Sequence, residues 1–226
     1  LLVFVAAERR ELEGLLRHLE RSTKPDWPLD FARLGRLNGR EVALVANGPG
    51  PKLAGEALDT VERNVSIDGI VSTGFCGGLR LSLGNGEIFV ATEVIGSGSA
   101  LMPSSSRPFK TGKLLSVDRV VSTAVEKYQL GKIADAVEME ASAVAERAYK
   151  WSVHFYAVRV VTDTCKESFP MDFNEMRSAD GRFSRAKILA AARRRPVSMV
   201  PQLMKLNKRT KRAAQALGDF LADARF

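Results

Sequence analysis

At 226 residues the chain is long enough to bury the core of one large α/β domain, and its 45% apolar and 27% charged residues are those of an ordinary globule. No apolar run approaches the roughly 20 residues that a membrane-spanning helix needs. The formal net charge of +8 is uneven: from Arg182 onward there are 12 Lys or Arg against 2 acids, so the basicity belongs to the tail.

The chain begins without Met and reads as starting inside a longer one, with Leu1–Ala6 as a buried strand rather than a signal peptide, because charges follow it at once. Leu12, Leu15, Leu16 and Leu19 recur at helical spacing and predict a helix over Glu8–Glu20. A loop with Pro25 and Pro28 leads to strands Phe31–Leu37 and Glu41–Ala46, joined by the hairpin signal Asn38-Gly39. A turn at Asn47–Pro51 precedes a helix over Lys52–Asn64. Asp68–Thr73 is a strand expected to end in a glycine-rich turn, Gly74–Gly78, where backbone approaches a ligand closely. Glu87–Ile95 is a strand, and Gly96–Gly112 a Ser-, Gly- and Pro-rich loop suited to a lid or rim. Leu114–Val117 is a short strand before a helix start near Asp118-Arg119. Beyond Thr164 come a polar connector and helices over Ser184–Arg194 and Val197–Leu221, the second divided by Pro201. Strands alternating with helices, plus one hairpin, predict an α/β fold: a mixed central sheet flanked by helices in a three-layer sandwich.

Two stretches carry the chemistry. Ala136–Ala148 runs from a strand into a helix that opens on Glu138 and Glu140. Ala157–Thr164 is a nearly continuous apolar run with Arg159 inside it and Asp163 at its end. Side chains at the carboxyl ends of buried parallel strands face a ligand crevice. Carboxylates on both sides of a ligand are what glycosidic cleavage requires: one acid protonates the leaving group and another activates water. Glu11, on the first helix, supplies a further carboxylate. The helix dipole favours ionised Glu138 and Glu140 by about 0.3–1 kcal/mol. Each residue also has a plain structural reading, since first-turn acids are common caps, Asp163 fits an N-cap, and Glu11 fits a solvated helix face. Arg159, within an apolar strand, requires an anionic partner, with Glu140 as one candidate. Cys76 and Cys165, with only His18 and His154 to supplement them, make no metal-ligand spacing; they read as small thiols in a reducing cytosol, with no metal.

With these residues in hand, the chain resembles the nucleoside phosphorylase/nucleosidase superfamily, and in layout the 5′-methylthioadenosine/S-adenosylhomocysteine nucleosidases. Val137–Ala141 (VEMEA) is similar to that group's ribose-binding signature, Val158–Asp163 (VRVVTD) to its strand ending in the acid, and Ser72–Leu79 (STGFCGGL) to its glycine-rich segment. Ala6–Leu16 resembles its first strand and helix, and Lys113–Lys127 the strand whose following residues contact the base. The resemblance implies that Asp163 protonates an adenine-type base and that Glu11, helped by Arg159, activates water. It implies that Glu140 takes the ribose hydroxyls, Met139 packs on the sugar, and Val120 meets the base, with Glu138, Gly74, Phe75 and Cys76 around the substrate. No cofactor is implied; in the phosphorylase alternative, phosphate is a co-substrate. The resemblance also implies a homodimer or larger homo-oligomer, while the cytoplasmic location is the expectation from the cysteines.

Phe75 and Thr162 stand where those nucleosidases carry Ser, which bears on substrate identity more than on reaction class. Residues 1–180 are expected to form the nucleosidase-like domain. Residues 181–226 are expected as a basic helical extension with no counterpart in the compact nucleosidases. This tail resembles the hopanoid-associated phosphorylase branch, thought to release adenine from a ribosylated polycyclic lipid. Its apolar stripe (Leu203, Leu206, Leu217, Phe220, Leu221) leaves two readings open: peripheral contact with an anionic membrane, or packing on the domain with a solvated basic face. Nucleic acid is not expected as a partner, since basic patches for it usually carry exposed aromatics. A non-catalytic nucleoside- or membrane-binding module is the remaining class.

Overall fold

The computed structural model describes residues 1–169, 171–178, 180–184, 186–187, 190, 193 and 196–226, of which the side chains of 196–199 are not described. Ten strands, β1 (Leu2–Ala6), β2 (Glu20–Thr23), β3 (Phe31–Leu37), β4 (Arg40–Ala46), β5 (Gly69–Gly78), β6 (Ile88–Val94), β7 (Gly98–Ser99), β8 (Lys110–Ser116), β9 (Ala136–Glu138) and β10 (His154–Asp163), form one mixed sheet. Among the described residues the helices are α1 (Arg9–Leu16), α2 (Pro51–Glu62), α3 (Ala124–Leu130), α4 (Ala141–Lys150) and α5 (Pro196–Asp223). In sheet order β10-β6-β8-β9-β5-β1-β4-β3-β2, strand β10 also pairs with β5, so β5, β9, β8, β6 and β10 close into a ring. β1, β5 and β10 run parallel, which brings their carboxyl ends to one side of the sheet.

Alternation in β1 shows why the fold has three layers. Val3 and Val5 face the cluster that holds Ala54, Leu58, Val144 and Ala148 of α2 and α4. Leu2, Phe4 and Ala6 face the opposite cluster, with Leu12 and Leu15 of α1 and Leu217, Phe220 and Leu221 of α5. A strand apolar on both sides is stable only when helices cover both sides. α1 and α5 meet backbone to backbone: a Cβ on Gly14 would stand 2.1 Å from Ala214 O, and one on Gly218 2.1 Å from the Gly14 carbonyl carbon.

The Asn38-Gly39 hairpin forms as expected, with both residues at positive φ (52° and 79°). Five expectations are corrected. α1 ends at Leu16, and Glu20–Thr23 is a strand on β3; all four of its residues are exposed, so it has no apolar alternation to betray it. The glycine stretch Gly74–Gly78 is strand, because Gly77 and Gly78 pair with Val137 and Ala136 of β9 on one edge while β10 occupies the other. The helix expected near Asp118 starts at Ala124, where the Thr123 hydroxyl accepts from Glu126 N at 3.2 Å. Pro201 lies within one continuous α5, in its second turn, where few intrahelical bonds precede it. The expected 96–112 loop contains β7 and the start of β8, and its middle packs on the chain's end: Ser104 pairs with Arg225, and the hydroxyls of Ser105 and Ser106 donate to Asp223 at 2.7 and 2.8 Å. The helix expected over Ser184–Arg194 falls largely outside the described residues.

Leu217, Phe220 and Leu221 are buried in the core, so these members of the tail's apolar stripe face the sheet and not a membrane. Among the described residues, no helix is long and apolar enough to cross a membrane.

Candidate active site

The carboxyl ends of β1, β5 and β10 and the β9–α4 junction surround a cavity of about 170 Å³. Its lining includes Glu11, Glu138, Met139, Glu140, Val120 and Asp163, with Phe75, Cys76, Gly77 and Thr162 completing that side. Residues as distant in sequence as Glu11 and Asp163 therefore share one cavity. Gly74 and Arg159 are not on its wall; both stand behind it and hold residues that are.

Glu11 lies on the first turn of α1 and points back over the end of β5. Its Oε2 accepts from Glu8 N at 2.8 Å and its Oε1 from Phe75 N at 2.9 Å. Gly74 permits this: at φ +142° it carries no side chain, and a Cβ would stand 2.7 Å from Glu11 Oε1. The close approach anticipated at this glycine is thus made to a carboxylate of the chain itself. Burial pushes the Glu11 carboxyl above its ordinary range, only partly offset by the two backbone N–H groups.

Glu140, the residue before α4, accepts from Gly50 N at 2.7 Å. Burial first, then the neighbouring charges of Glu138 and Glu11, push its carboxyl up to about 8. Burial and two nearby acids thus oppose the helix dipole, which favours an ionised Glu140 by only about 0.3–1 kcal/mol.

Arg159 has its anionic partner, but it is Glu138 and not Glu140. Arg159 Nη2 donates to Glu138 Oε2 at 2.5 Å and to the Ser72 hydroxyl at 2.7 Å, with both charged side chains 1% exposed. The same Glu138 carboxylate accepts from Glu140 N at 2.9 Å and from Ala141 N at 3.0 Å, and from the Ser116 hydroxyl. It therefore caps α4 and fixes the backbone that carries Met139 and Glu140. Ser72 lies inside β5, and β10 holds Arg159 in register with Gly74, so this polar group is built from two core strands.

Asp163 closes β10 opposite Gly77, after a register shift that follows Val161. Its Oδ1 accepts from the Thr162 hydroxyl at 3.0 Å and its Oδ2 from Lys127 Nζ at 2.5 Å. Burial raises this carboxyl above its usual range, with Lys127 pulling the other way. Cys76 is buried beside it, its thiol pushed up by burial. Val120 lines the cavity, with its N–H donating to Asn174 Oδ1 at 2.7 Å and its carbonyl accepting from Asn174 Nδ2 at 3.0 Å. Sequence reasoning passed over Lys127 and Phe169. Lys127 had a signal, since it shares the apolar face of α3 with Leu130, three residues on.

Outside the inner cavity, and sharing Phe75 and Val120 with it, is a chamber of about 850 Å³. Phe31, Phe75, Phe169, Phe173, Phe183 and Leu206 give it an aromatic and aliphatic wall. Among the described residues, no cluster of three or more His, Cys, Asp or Glu is placed to hold a metal ion.

A family profile described as the phosphorylase superfamily matches residues 1–102 and 99–192. Among solved structures, the 5′-methylthioadenosine/S-adenosylhomocysteine nucleosidase of Neisseria meningitidis, in complex with methylthio-immucillin-A, is similar at TM-score 0.70 and 20% identity, over 98% of this chain and 96% of that one. The corresponding nucleosidase of Campylobacter jejuni gives 0.70 and 14%, over 98% and 96%. A futalosine hydrolase mutant from Helicobacter pylori gives 0.66 and 16%, over 97% and 96%. At these identities the likeness is one of fold.

Proposed function

Because the chain belongs to the phosphorylase superfamily, we propose that it cleaves the glycosidic bond of an adenine-type purine nucleoside, with water as the nucleophile. The observation that carries the choice of water is that three of the groups able to hold a phosphate are already bound to acid side chains. Phe75 N–H is taken by Glu11, Gly50 N–H by Glu140, and the Arg159 guanidinium by Glu138. An incoming phosphate would have to displace the acid side chains that already accept from these donors.

In this reading the sugar lies between Glu11 and Glu140, with Met139 against it and the base toward Asp163 and Val120. Asp163 gives its proton to the five-membered ring of the base as the bond to the sugar breaks, and the bonding pair leaves with the base. Water adds to the cationic sugar carbon and its proton passes to Glu11. Burial suits both roles, because it keeps the proton on Asp163 closer to neutral pH and makes ionised Glu11 a stronger base. Glu140 meets the ribose hydroxyls. Arg159 contributes through Glu138, which sets the β9–α4 backbone. The family resemblance extends this reading to a homodimer or larger homo-oligomer, which light scattering of the purified protein tests.

The deciding experiment measures adenine release from 5′-methylthioadenosine and adenosine with and without phosphate. Release without phosphate, yielding free ribose products, is expected. Strict phosphate dependence with a ribose 1-phosphate product overturns hydrolysis.

A second reading keeps the bond and changes the substrate: a hopanoid-linked adenosine, cleaved by phosphorolysis. What favours a large apolar 5′ substituent is the outer chamber, several times the volume of the inner one and walled by aromatic rings. Turnover of a nucleoside with a long apolar 5′ chain, compared with 5′-methylthioadenosine, separates the two substrates.

A further inference from the structure

Lys127 is fully buried, lines neither chamber, and has no part in the chemistry above. Its Nζ donates to Asp163 Oδ2 at 2.5 Å, to Thr164 O at 3.1 Å and to Glu167 O at 2.8 Å, and lies 5.2 Å from the centroid of the Phe169 ring. Three acceptors match the three ammonium hydrogens, so the cation has one position. On the other side of Oδ2, Gly77 leaves no spare room: a Cβ there would stand 3.0 Å from that oxygen. A buried cation that fully engages one oxygen of the proposed acid, and touches nothing in the cavity, does more than fill space.

We propose that Lys127 is a positioning residue for Asp163: it clamps Oδ2, so that Oδ1, which accepts from the Thr162 hydroxyl at 3.0 Å, is the oxygen that carries the proton to the base, and it supplies the counter-charge for the carboxylate once the proton has passed to the leaving purine. No proton leaves Lys127 in this scheme. The ammonium lowers the energy of ionised Asp163 and so makes it a stronger acid. The proposal rests on the nucleosidase reading above.

The other groups near Asp163 do not duplicate this role. Arg209 of α5 is paired with Glu167 Oε1 at 2.7 Å, Cys76 of β5 is a buried thiol, and Arg159 beyond it is neutralised by Glu138. Lys127 is thus the cation in direct contact with the acid.

The test uses the whole protein with Lys127→Met, which keeps the chain length and removes the charge, and Lys127→Arg, which keeps the charge. Removing the ammonium lets Asp163 hold its proton to higher pH. The basic limb of the kcat profile on 5′-methylthioadenosine therefore moves up by about one pH unit or more in Lys127→Met, with kcat lower by about 10–100-fold and KM within about threefold. Lys127→Arg keeps the limb in place and recovers part of kcat. In protein labelled with ¹³C at aspartate, the Asp163 carboxyl, assigned by its loss in Asp163→Asn, titrates higher in Lys127→Met than in the wild type. If the limb and the carboxyl titration both stay where the wild type has them, the clamp is refuted. Because the carboxyl readout needs no turnover, a wild type that releases no base while its titration moves on substitution refutes the reaction and leaves the clamp standing.

Discussion

The Cα of Gly74 lies beneath the Glu11 carboxylate, so that a single added carbon would come within 2.7 Å of Oε1 and 3.0 Å of Cδ. The neighbouring Phe75 N–H holds the same oxygen at 2.9 Å. A residue on β5 thus decides where a side chain of α1 stands, 63 positions earlier in the chain.

Gly74→Ala is therefore expected to displace Glu11 and to strain a backbone with φ at +142°. A misplacement of about 1 Å costs roughly 10²-fold in kcat, and overpacking with strain roughly 1–3 kcal/mol in stability. Steady-state kinetics with a denaturant titration checks this. A variant with kcat within a factor of two of the wild type would show that Glu11 does not need this placement.

The pH dependence of stability follows from Glu140. Its ordinary value is 4.5 and burial beside two acids raises it to about 8 in the folded chain. The native state then holds the proton more tightly than the unfolded state, so this contribution is complete below 4.5 and fades as pH rises through about 8. Glu11, raised by burial, acts in the same direction. Glu167, lowered to about 2, acts in a separate window, losing its contribution only as pH falls toward that value. Tm of the wild type should fall between pH 5 and 8.5. Glu140→Gln should flatten that decline and exceed the wild type at the alkaline end. A parallel decline in the variant would contradict the assignment.

Arg159 and Glu138 form a buried pair, and taking away one partner leaves the other charged in the core. Arg159→Met should cost about 3–5 kcal/mol in urea unfolding. Adding Glu138→Gln should restore part of the loss, because the orphaned charge is gone while an amide oxygen can still accept from the α4 backbone. Strictly additive losses would mean the two side chains are not coupled.

The α1–α5 crossing depends on Gly14 and Gly218, each with the other helix's backbone where a Cβ would be. Gly218→Ala, although a better helix former by about 1 kcal/mol, should lower stability by roughly 1–3 kcal/mol through overpacking. Thermal melts decide the sign. A rise in Tm would show that the helices can separate without loss.

Much of this was legible along the chain, for reasons that are local. The apolar run of β1, the Asn38-Gly39 turn, and the apolar run ending in Asp163 each carry their signal within a few residues. Acids at a strand-to-helix junction and an arginine in an apolar strand were enough to mark Glu138, Glu140 and Arg159 as a group. β2 was not legible, because an exposed edge strand is defined by its partner β3 and has no apolar face of its own. The glycine segment was misread as a turn because what makes it strand lies in β9 and β10, roughly 60 and 85 residues further on.

The amino-acid order by itself determined the three-layer α/β plan and which acids and bases the chain has to work with, since periodicity and residue type are properties of the chain. Only the tertiary structure decided how those groups pair: Arg159 with Glu138, Glu11 over Gly74, Lys127 beneath Asp163. Pairing and burial set the charge each group carries, and both depend on side chains brought together from distant strands. The same holds for the tail, whose apolar stripe is visible in the sequence but whose partner, the face of β1 and α1, is a matter of folding.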